Sequence, residues 1–360
     1  MQADFFGYKK YNLILLSELP IFGSRFARVL KYLIFFFLNK RNKTGSFVFF
    51  VLFCITSGIN AQYDPNYSQY MFNPLAINPG FSGISGRINV VALDRHQWMG
   101  LEGAPNTTVV GADMALNIFG NPGGVGLVIS NDRIGFFRDL NIQGSVSQKY
   151  ELGEGLLGVG LSFGMINQVV DGTKFISNPD IGGGSYYHQE ADNLVPKTEV
   201  NGTTIDAGVG FYYKDEKYFS GFSVMHLFEP KPNFNEEFSV YIPRSFFLTF
   251  GYNYAMWEYP MVLKPSVLIK AVGPIWQYDF NMSVVYLDKM WGGISYRYQD
   301  AIVVMGGMEL SSGLKVGYSY DITTSRLAKV SNGSHEIMVG YTFDLSLEKR
   351  AKRYKSVRFL

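Results

Sequence analysis

Four histidines, His96, His188, His226 and His335, are the side chains of this chain best suited to move a proton near neutral pH, and Cys54 is its one thiol. Metal binding or nucleophilic catalysis needs such residues at short, phased spacing, and none of the four falls in a metal-ligand or nucleophile motif. A hydrolase built into a membrane barrel would need a Ser and a His facing together, and no such pair emerges. His335 and Glu336 adjoin at what reads as a strand start, where successive side chains point to opposite faces, so they read as structural residues and not as an acid–base pair. The run Gly155-Leu156-Leu157-Gly158-Val159-Gly160 superficially matches a phosphate loop, yet it keeps strand phase and no helix follows. No enzyme activity, cofactor or metal is expected.

The charged residues that do fall in a pattern are Asp206, Asp279, Arg297, Asp321 and Glu336. Each sits in a segment where apolar and polar residues alternate, and each is on the polar face. Leu314, Val316, Tyr318, Tyr320 and Ile322 alternate with Lys315, Gly317, Ser319 and Asp321; Ile337, Val339, Tyr341, Phe343 and Leu345 alternate with Glu336, Met338, Gly340, Thr342 and Asp344. Ile205, Ala207, Val209, Phe211 and Tyr213 repeat the pattern against Asp206, Gly208, Gly210, Tyr212 and Lys214. Tyr278, Phe280, Met282 and Val284 repeat it against Asp279, Asn281, Ser283 and Val285. A period of two over this length specifies a strand with one apolar side. Opposed charges on the other side either pair with each other or hold a plug or a substrate peptide.

Those strands must be supported by something larger. The chain is 16% aromatic, with 24 Tyr, 30 Phe and 39 Gly, far from the Leu, Ala and Glu-rich balance of helical proteins. After residue 61 no run of 18 apolar residues occurs, so no helix of the kind that spans a bilayer is encoded there. Alternating segments instead recur near 87–98, 105–117, 123–135, 137–152, 155–170, 203–215, 217–228, 244–256, 259–273, 275–288, 290–300, 301–312, 314–327 and 334–345. Strands of about 9–11 residues suffice to cross a bilayer when tilted. The expected fold is all-β, a transmembrane outer-membrane barrel of about fourteen antiparallel strands (87–345) preceded by a non-strand segment (62–86).

An even strand count puts both chain ends on one side, which export through the inner membrane makes the periplasm. The two longest gaps, 171–202 and 229–243, follow odd strands, and the tight turns at Gly153-Glu154, Lys214-Asp215-Glu216-Lys217 and Asp288-Lys289 follow even ones. That phase agrees with long extracellular loops and short periplasmic turns. Trp98, Trp257, Tyr259, Trp276, Tyr278 and Trp291 near strand ends are expected to form interfacial girdles. A soluble β-sandwich or propeller would explain neither the girdles nor a glycine-rich polar face.

Residues 1–61 form a leader. Lys40-Arg41-Asn42-Lys43 precedes an apolar run ending in small residues, the pattern of a Sec signal cleaved after Ala61. Phe53 stands before Cys54 where a lipoprotein signal needs a small residue, so the mature chain is expected to lack cysteine. Residues 1–39 fit either a start placed too far upstream or an inner-membrane anchor. The leader holds eight of the 32 basic residues and two of the 30 acidic ones, leaving a net charge of −4 beyond it. That balance excludes nucleic acid as a partner. The last residues, 346–360, are a basic tail, either solvated in the periplasm or docking an acidic partner there.

Between leader and first strand lies a segment rich in Asn, Pro and aromatics: Asp64, Pro65, Gln69, Tyr70, Asn73, Pro74, Asn78, Pro79 and Gly83 punctuate it. Its three prolines remove backbone donors and disfavour helix before them, so an ordered, extended segment is expected. This segment resembles the start of the PorP/SprF family of type IX secretion outer-membrane proteins. Gln97-Trp98 followed by Gly103-Ala104-Pro105 is similar to a second family element, and Tyr318-Ser319-Tyr320-Asp321-Ile322 and His335-Glu336-Ile337-Met338 to two more. The terminal Val357-Arg358-Phe359-Leu360 departs from the family's frequent Pro-Arg-Phe-Phe. The resemblance implies no catalysis. It implies a component of protein secretion and gliding motility in the outer membrane of a Gram-negative bacterium, embedded in outer-membrane lipid and lipopolysaccharide. Its partners would be secreted adhesins with C-terminal secretion domains and other type IX components. The competing reading is an open porin or small-solute channel.

Overall fold

Alternation of apolar and polar residues suits a wall with lipid on one side and water on the other, and the computed structural model of the chain is such a wall. The structure describes residues 64–174, 196, 198–234 and 240–343; the leader with Cys54, His188 and the basic tail lie outside them. Its strands are β1 (Ile88–His96), β2 (Asn106–Ile118), β3 (Asn121–Ile134), β4 (Phe137–Leu152), β5 (Gly155–Asp171), β6 (Glu199–Lys214) and β7 (Tyr218–Met225). β8 (Ser245–Tyr252) resumes after Asn253 as the two-residue β9 (Tyr254–Ala255), and both pair with β10 (Met261–Val272) as one stave. β11 (Ile275–Tyr286), β12 (Met290–Arg297), β13 (Ala301–Glu309), β14 (Leu314–Thr323) and β15 (Ser334–Phe343) complete the set.

Every stave pairs antiparallel with its sequence neighbours, and β1 pairs with β15 from Ile88 opposite Phe343 to His96 opposite His335. The sheet therefore closes on itself and leaves no edge, which is how strands satisfy their backbone in lipid. With β8 and β9 counted as one, fourteen staves stand where alternation places them. Four stop early, β7 at Met225, β12 at Arg297, β13 at Glu309 and β14 at Thr323. His226 and Gln299, just beyond the first two, take positive φ, 54° and 60°, which ends strand geometry for residues with a Cβ.

The faces follow the pattern. Ile205, Phe280, Met282, Tyr318, Ile322, Ile337 and Val339 project outward and are exposed, while Asp206, Asp279, Ser319, Asp321 and Glu336 are buried inside. The aromatic girdle is corrected at one position. Trp291 is buried and packs against Phe72 at a centroid distance of 4.3 Å, whereas Trp257, Tyr259 and Trp276 are exposed as a girdle requires. At its strand start Trp291 follows Met290, which is exposed, and the pleat alone sends the two to opposite faces.

One end of the barrel carries the long connections, including 97–105, 226–244 and 324–333; the other carries short turns. Phe119 and Gly120 join β2 to β3 with φ of 52° and 84°, the both-positive geometry whose twist matches a hairpin. In the turn before β7 the Asp215 carboxylate accepts the N–H groups of Lys217 and Tyr218, both at 2.6 Å.

The segment before β1 is compact instead of extended. It forms three single 3-10 turns, Tyr70–Phe72, Pro74–Ala76 and Pro79–Phe81. Two begin on proline, whose fixed φ suits the first position of a helical turn as well as an extended chain, so the prolines alone could not choose between them. The choice is made by the barrel wall, which supplies the hydrogen bonds an isolated turn lacks.

Candidate functional site

Four strand residues converge on Ser68, and a fifth, Asp279, backs one of them. Arg95 faces Glu336 across the β1–β15 ladder and Arg297 faces Asp279 across β11–β12, so the two arginines enter the lumen already opposite carboxylates. Arg95 Nη2 lies 2.7 Å from Asp321 Oδ2, and its Nη1 lies 3.3 Å from Glu336 Oε2. Arg297 Nη1 reaches the same Asp321 oxygen at 2.8 Å, and Nε reaches Asp279 at 3.2 Å. Ser68 Oγ donates to Asp321 Oδ1 at 2.7 Å and accepts from Arg95 Nη1 at 2.8 Å and Arg297 Nη2 at 3.1 Å. The hydroxyl is the one group in the cluster that can both donate and accept, so it joins guanidinium to carboxylate. All of these side chains are almost fully buried.

Glu336 then reads the main chain. Its two oxygens accept the N–H of Ser68 at 2.8 Å and of Gln69 at 2.7 Å. A buried ion cluster is an uncertain stabiliser by itself, but removing one member leaves an uncompensated charge and costs about 3–5 kcal/mol. The segment is thus held by groups that also need each other.

A second cluster fixes the first described residues. Asp64 Oδ1 lies 3.0 Å from His226 Nε2, and Ser245 Oγ donates to the other oxygen of the same carboxylate. His226 Nδ1 lies 2.9 Å from Asp206 Oδ2, which also accepts Gln143 Nε2 at 2.6 Å. Lys270 donates to the Asp64 carbonyl and, at 3.1 Å, to Asn66 Oδ1. Ser245, Asp64 and His226 are the residue types of a hydrolytic triad in the wrong order. The carboxylate sits between hydroxyl and imidazole, both ring nitrogens are taken by carboxylates, and the group that meets Ser245 is a carboxylate and not an imidazole. The arrangement ties the segment to β6, β8 and the residue after β7.

The far end of the segment is held through its backbone. Asn78 Nδ2 donates to the Phe211 carbonyl at 3.0 Å while its Oδ1 accepts the Gly80 N–H at 2.9 Å. Ser145 meets Ser82 Oγ at 2.7 Å, Ser147 donates to the Ser82 carbonyl at 2.6 Å, and Asp113 accepts the Gly83 N–H at 2.8 Å. The glycine run 155–160 makes room here. A Cβ on Gly158 would stand 2.1 Å from the Gly80 carbonyl oxygen, and one on Gly160 2.4 Å from that of Pro79. The run is a flat seat for a peptide.

The structure thus brings Asp64, Gln69, Asn78, Pro79 and Gly83 together with Asp206, Asp279, Arg297, Asp321 and Glu336. Tyr70 joins them by its hydroxyl, 2.9 Å from Ser266 Oγ, and Asn73 is buried beside Gly111. Pro65 and Pro74 are partly buried members of the same segment. The second motif lies elsewhere, in the loop between β1 and β2. Gln97 N–H donates to the Pro105 carbonyl at 2.9 Å, Trp98 takes a φ of 49° with its N–H on Ser334 Oγ at 3.1 Å, and the Gly103 carbonyl accepts Gly135 N–H at 2.9 Å. His335 and Glu336 do point to opposite faces: His335 Nδ1 lies 2.6 Å from the Tyr318 hydroxyl on the outside.

Arg95, Ser68 and Lys270 escaped the sequence reading. β1 reads INVVALDRH, apolar on both faces, so its phase is hidden and Arg95 cannot be assigned inward. Lys264, Ser266 and Lys270 share one phase in β10, a signal that was present. Among the described residues no group of three or more His, Cys, Asp or Glu is arranged to hold a metal ion.

A closed antiparallel barrel with an apolar exterior and a lumen occupied by its own ion-paired segment is an outer-membrane β-barrel protein. Within that class the chain belongs to the family described as type IX secretion system membrane protein PorP/SprF, whose family model matches residues 59–341. No curated protein matches the sequence. Solved barrels with a similar outline include a TodX monoaromatic hydrocarbon channel with a deletion, at 11% identity over 74% of this chain and 92% of that one, TM-score 0.35. The translocator domain of the autotransporter NalP from Neisseria meningitidis is another, at 11% identity over 72% and 88%, TM-score 0.38.

Proposed function

We propose that this barrel supports the secretion or surface attachment of adhesins carrying C-terminal secretion signals, and through them gliding, with its lumen closed by residues 64–83 acting as a plug. The observation that carries the closed lumen is the Ser68 cluster, in which β1, β12, β14 and β15 all engage one residue of the segment. An open solute channel has no use for buried charges spent on its own chain. The secretion role rests on family membership. In this reading the leader is a Sec signal cleaved after Ala61, the turn end with the basic tail faces the periplasm, and the long-loop end faces outward. The motif residues of 64–83 act by seating the plug, and the tied loop 97–105 is the surface offered to the adhesin, with lipopolysaccharide around the barrel.

Three measurements test this. The purified barrel in planar bilayers is expected to stay closed, and deletion of residues 64–83 to open it while the barrel still folds; large steady channels from the intact chain would establish the porin reading instead. Affinity capture of the tagged protein from its own outer membrane is expected to retain an adhesin with a C-terminal secretion domain. N-terminal sequencing of the captured protein is expected to begin at Gln62.

A further inference from the structure

The lumen below the plug, at the turn end, is a cavity of about 510 Å³ whose floor is the segment itself around Met71–Leu75 and Phe81. Arg87, Lys214, Lys264 and Lys315 line it. Each of the lysines belongs to the inward phase of its own strand, and the charges of Lys264, Lys315 and Arg87 all act on Lys214. The lining holds one carboxylate, Asp113, and that is already engaged by the Gly83 N–H and by Asn89 at 3.1 Å. Lys315 reaches Glu309 at 3.3 Å, a pair exposed enough to exchange partners at little cost. Lys214 and Lys264 form no ion pair among the described residues.

Arg87 already has an interaction of its own, and the three lysines gathered around the cup repel one another and concentrate anions inside it. In the upper lumen, by contrast, Arg95 and Arg297 share Asp321 and also meet Glu336 and Asp279, so both guanidinium groups there already have carboxylates. Between the cations stand aromatic and amide groups, Tyr212, Phe219, Trp291 and Asn253, which suit a chain with side chains and a backbone better than a small ion. The sequence that continues from β15 is itself basic, so charge complementarity points away from it.

We propose that this vestibule is a binding site for an acidic, extended peptide segment of a partner protein that enters from the turn end. The inference rests on the proposed function only in making that partner periplasmic. Loss of adhesin capture with peptide binding intact would remove the secretion role and leave the site standing.

The test uses the full mature chain in zwitterionic nanodiscs and a fluorescein-labelled octaglutamate peptide, followed by polarisation at low salt. Lys214→Gln, Lys264→Gln and Lys315→Gln combined are expected to weaken binding roughly tenfold or more, as three partly exposed charge contacts should. Lys329→Gln at the opposite end is expected to leave it unchanged. Raised salt should weaken the intact protein's binding and have little effect on the triple variant. Heat-modifiable gel mobility verifies folding, and each single lysine variant provides a milder version. Peptide binding unchanged in the triple variant, equal loss in Lys329→Gln, or a vestibule that takes inorganic polyphosphate but leaves the peptide free overturns the proposal.

Discussion

The Oε2 atom of Glu336 accepts the backbone N–H of Ser68 at 2.8 Å, so a carboxylate on the barrel wall grips the lumenal segment by its main chain. The other oxygen takes the next N–H, of Gln69. Replacing Glu336 with Ala leaves two buried donors unpaired and strips Arg95 of one partner. The expected loss is about 3–5 kcal/mol in urea unfolding of the micelle-bound protein. Glu336→Gln keeps an acceptor oxygen and is expected to lose less. Equal stability of wild type and Glu336→Ala would mean that the carboxylate holds nothing.

The glycine seat makes the opposite kind of change possible, one that spares the barrel. Gly158→Val gives β5 a residue with better strand propensity. Its Cβ would nevertheless occupy the space of the Gly80 carbonyl. The expected outcome is a folded, heat-modifiable barrel whose residues 64–83 become open to protease and whose bilayer conductance rises. A variant that remains protected and closed would show that the segment adjusts without leaving.

Fourteen staves could be read from alternation because lipid and lumen impose opposite demands on successive residues, and Phe280 beside Asp279 records both. The segment 64–83 obeys no such period. Its contacts join side chains and backbone to the wall over separations such as the 268 residues from Ser68 to Glu336, which no local pattern encodes. Trp291 shows the limit of residue type: indole at a strand start suits a membrane interface, yet here it faces Phe72 inside. The charged residues were legible as inward. That they join each other and the segment at once, through a single serine hydroxyl, was not.

Asp215 gives a pH dependence outside the membrane. The Tyr218 N–H, with that of Lys217, the Tyr213 hydroxyl and the Lys217 charge, outweighs the opposing cost of desolvation and holds its carboxyl below the usual range. A depressed carboxylate contributes stability above its unfolded pKa, and that contribution disappears as pH falls through the folded value. Asp215→Ala is therefore expected to slow hairpin formation and lower the melting temperature at pH 7, with the difference from wild type shrinking below about pH 4. A gap between the two proteins that stays constant from pH 7 to pH 3 would assign the effect to something other than the charge.

Arg95 is the residue for which a conservative change should be most damaging. One of its terminal nitrogens meets Asp321 and the other meets both Ser68 and Glu336, a planar fork serving three partners. Lysine keeps the charge but presents it from a single point, so Arg95→Lys can reach one carboxylate and must leave the other under-neutralised. The expected cost is about 3 kcal/mol or more. Ser68→Ala removes the hydroxyl that links the same groups, so the two changes should not add. A double-mutant cycle is expected to give a coupling of about 0.5–3 kcal/mol, as for residues sharing one network. Strict additivity would mean that Ser68 sits beside the ion cluster without being part of it, and the segment would then be held by Glu336 alone at this level of the barrel.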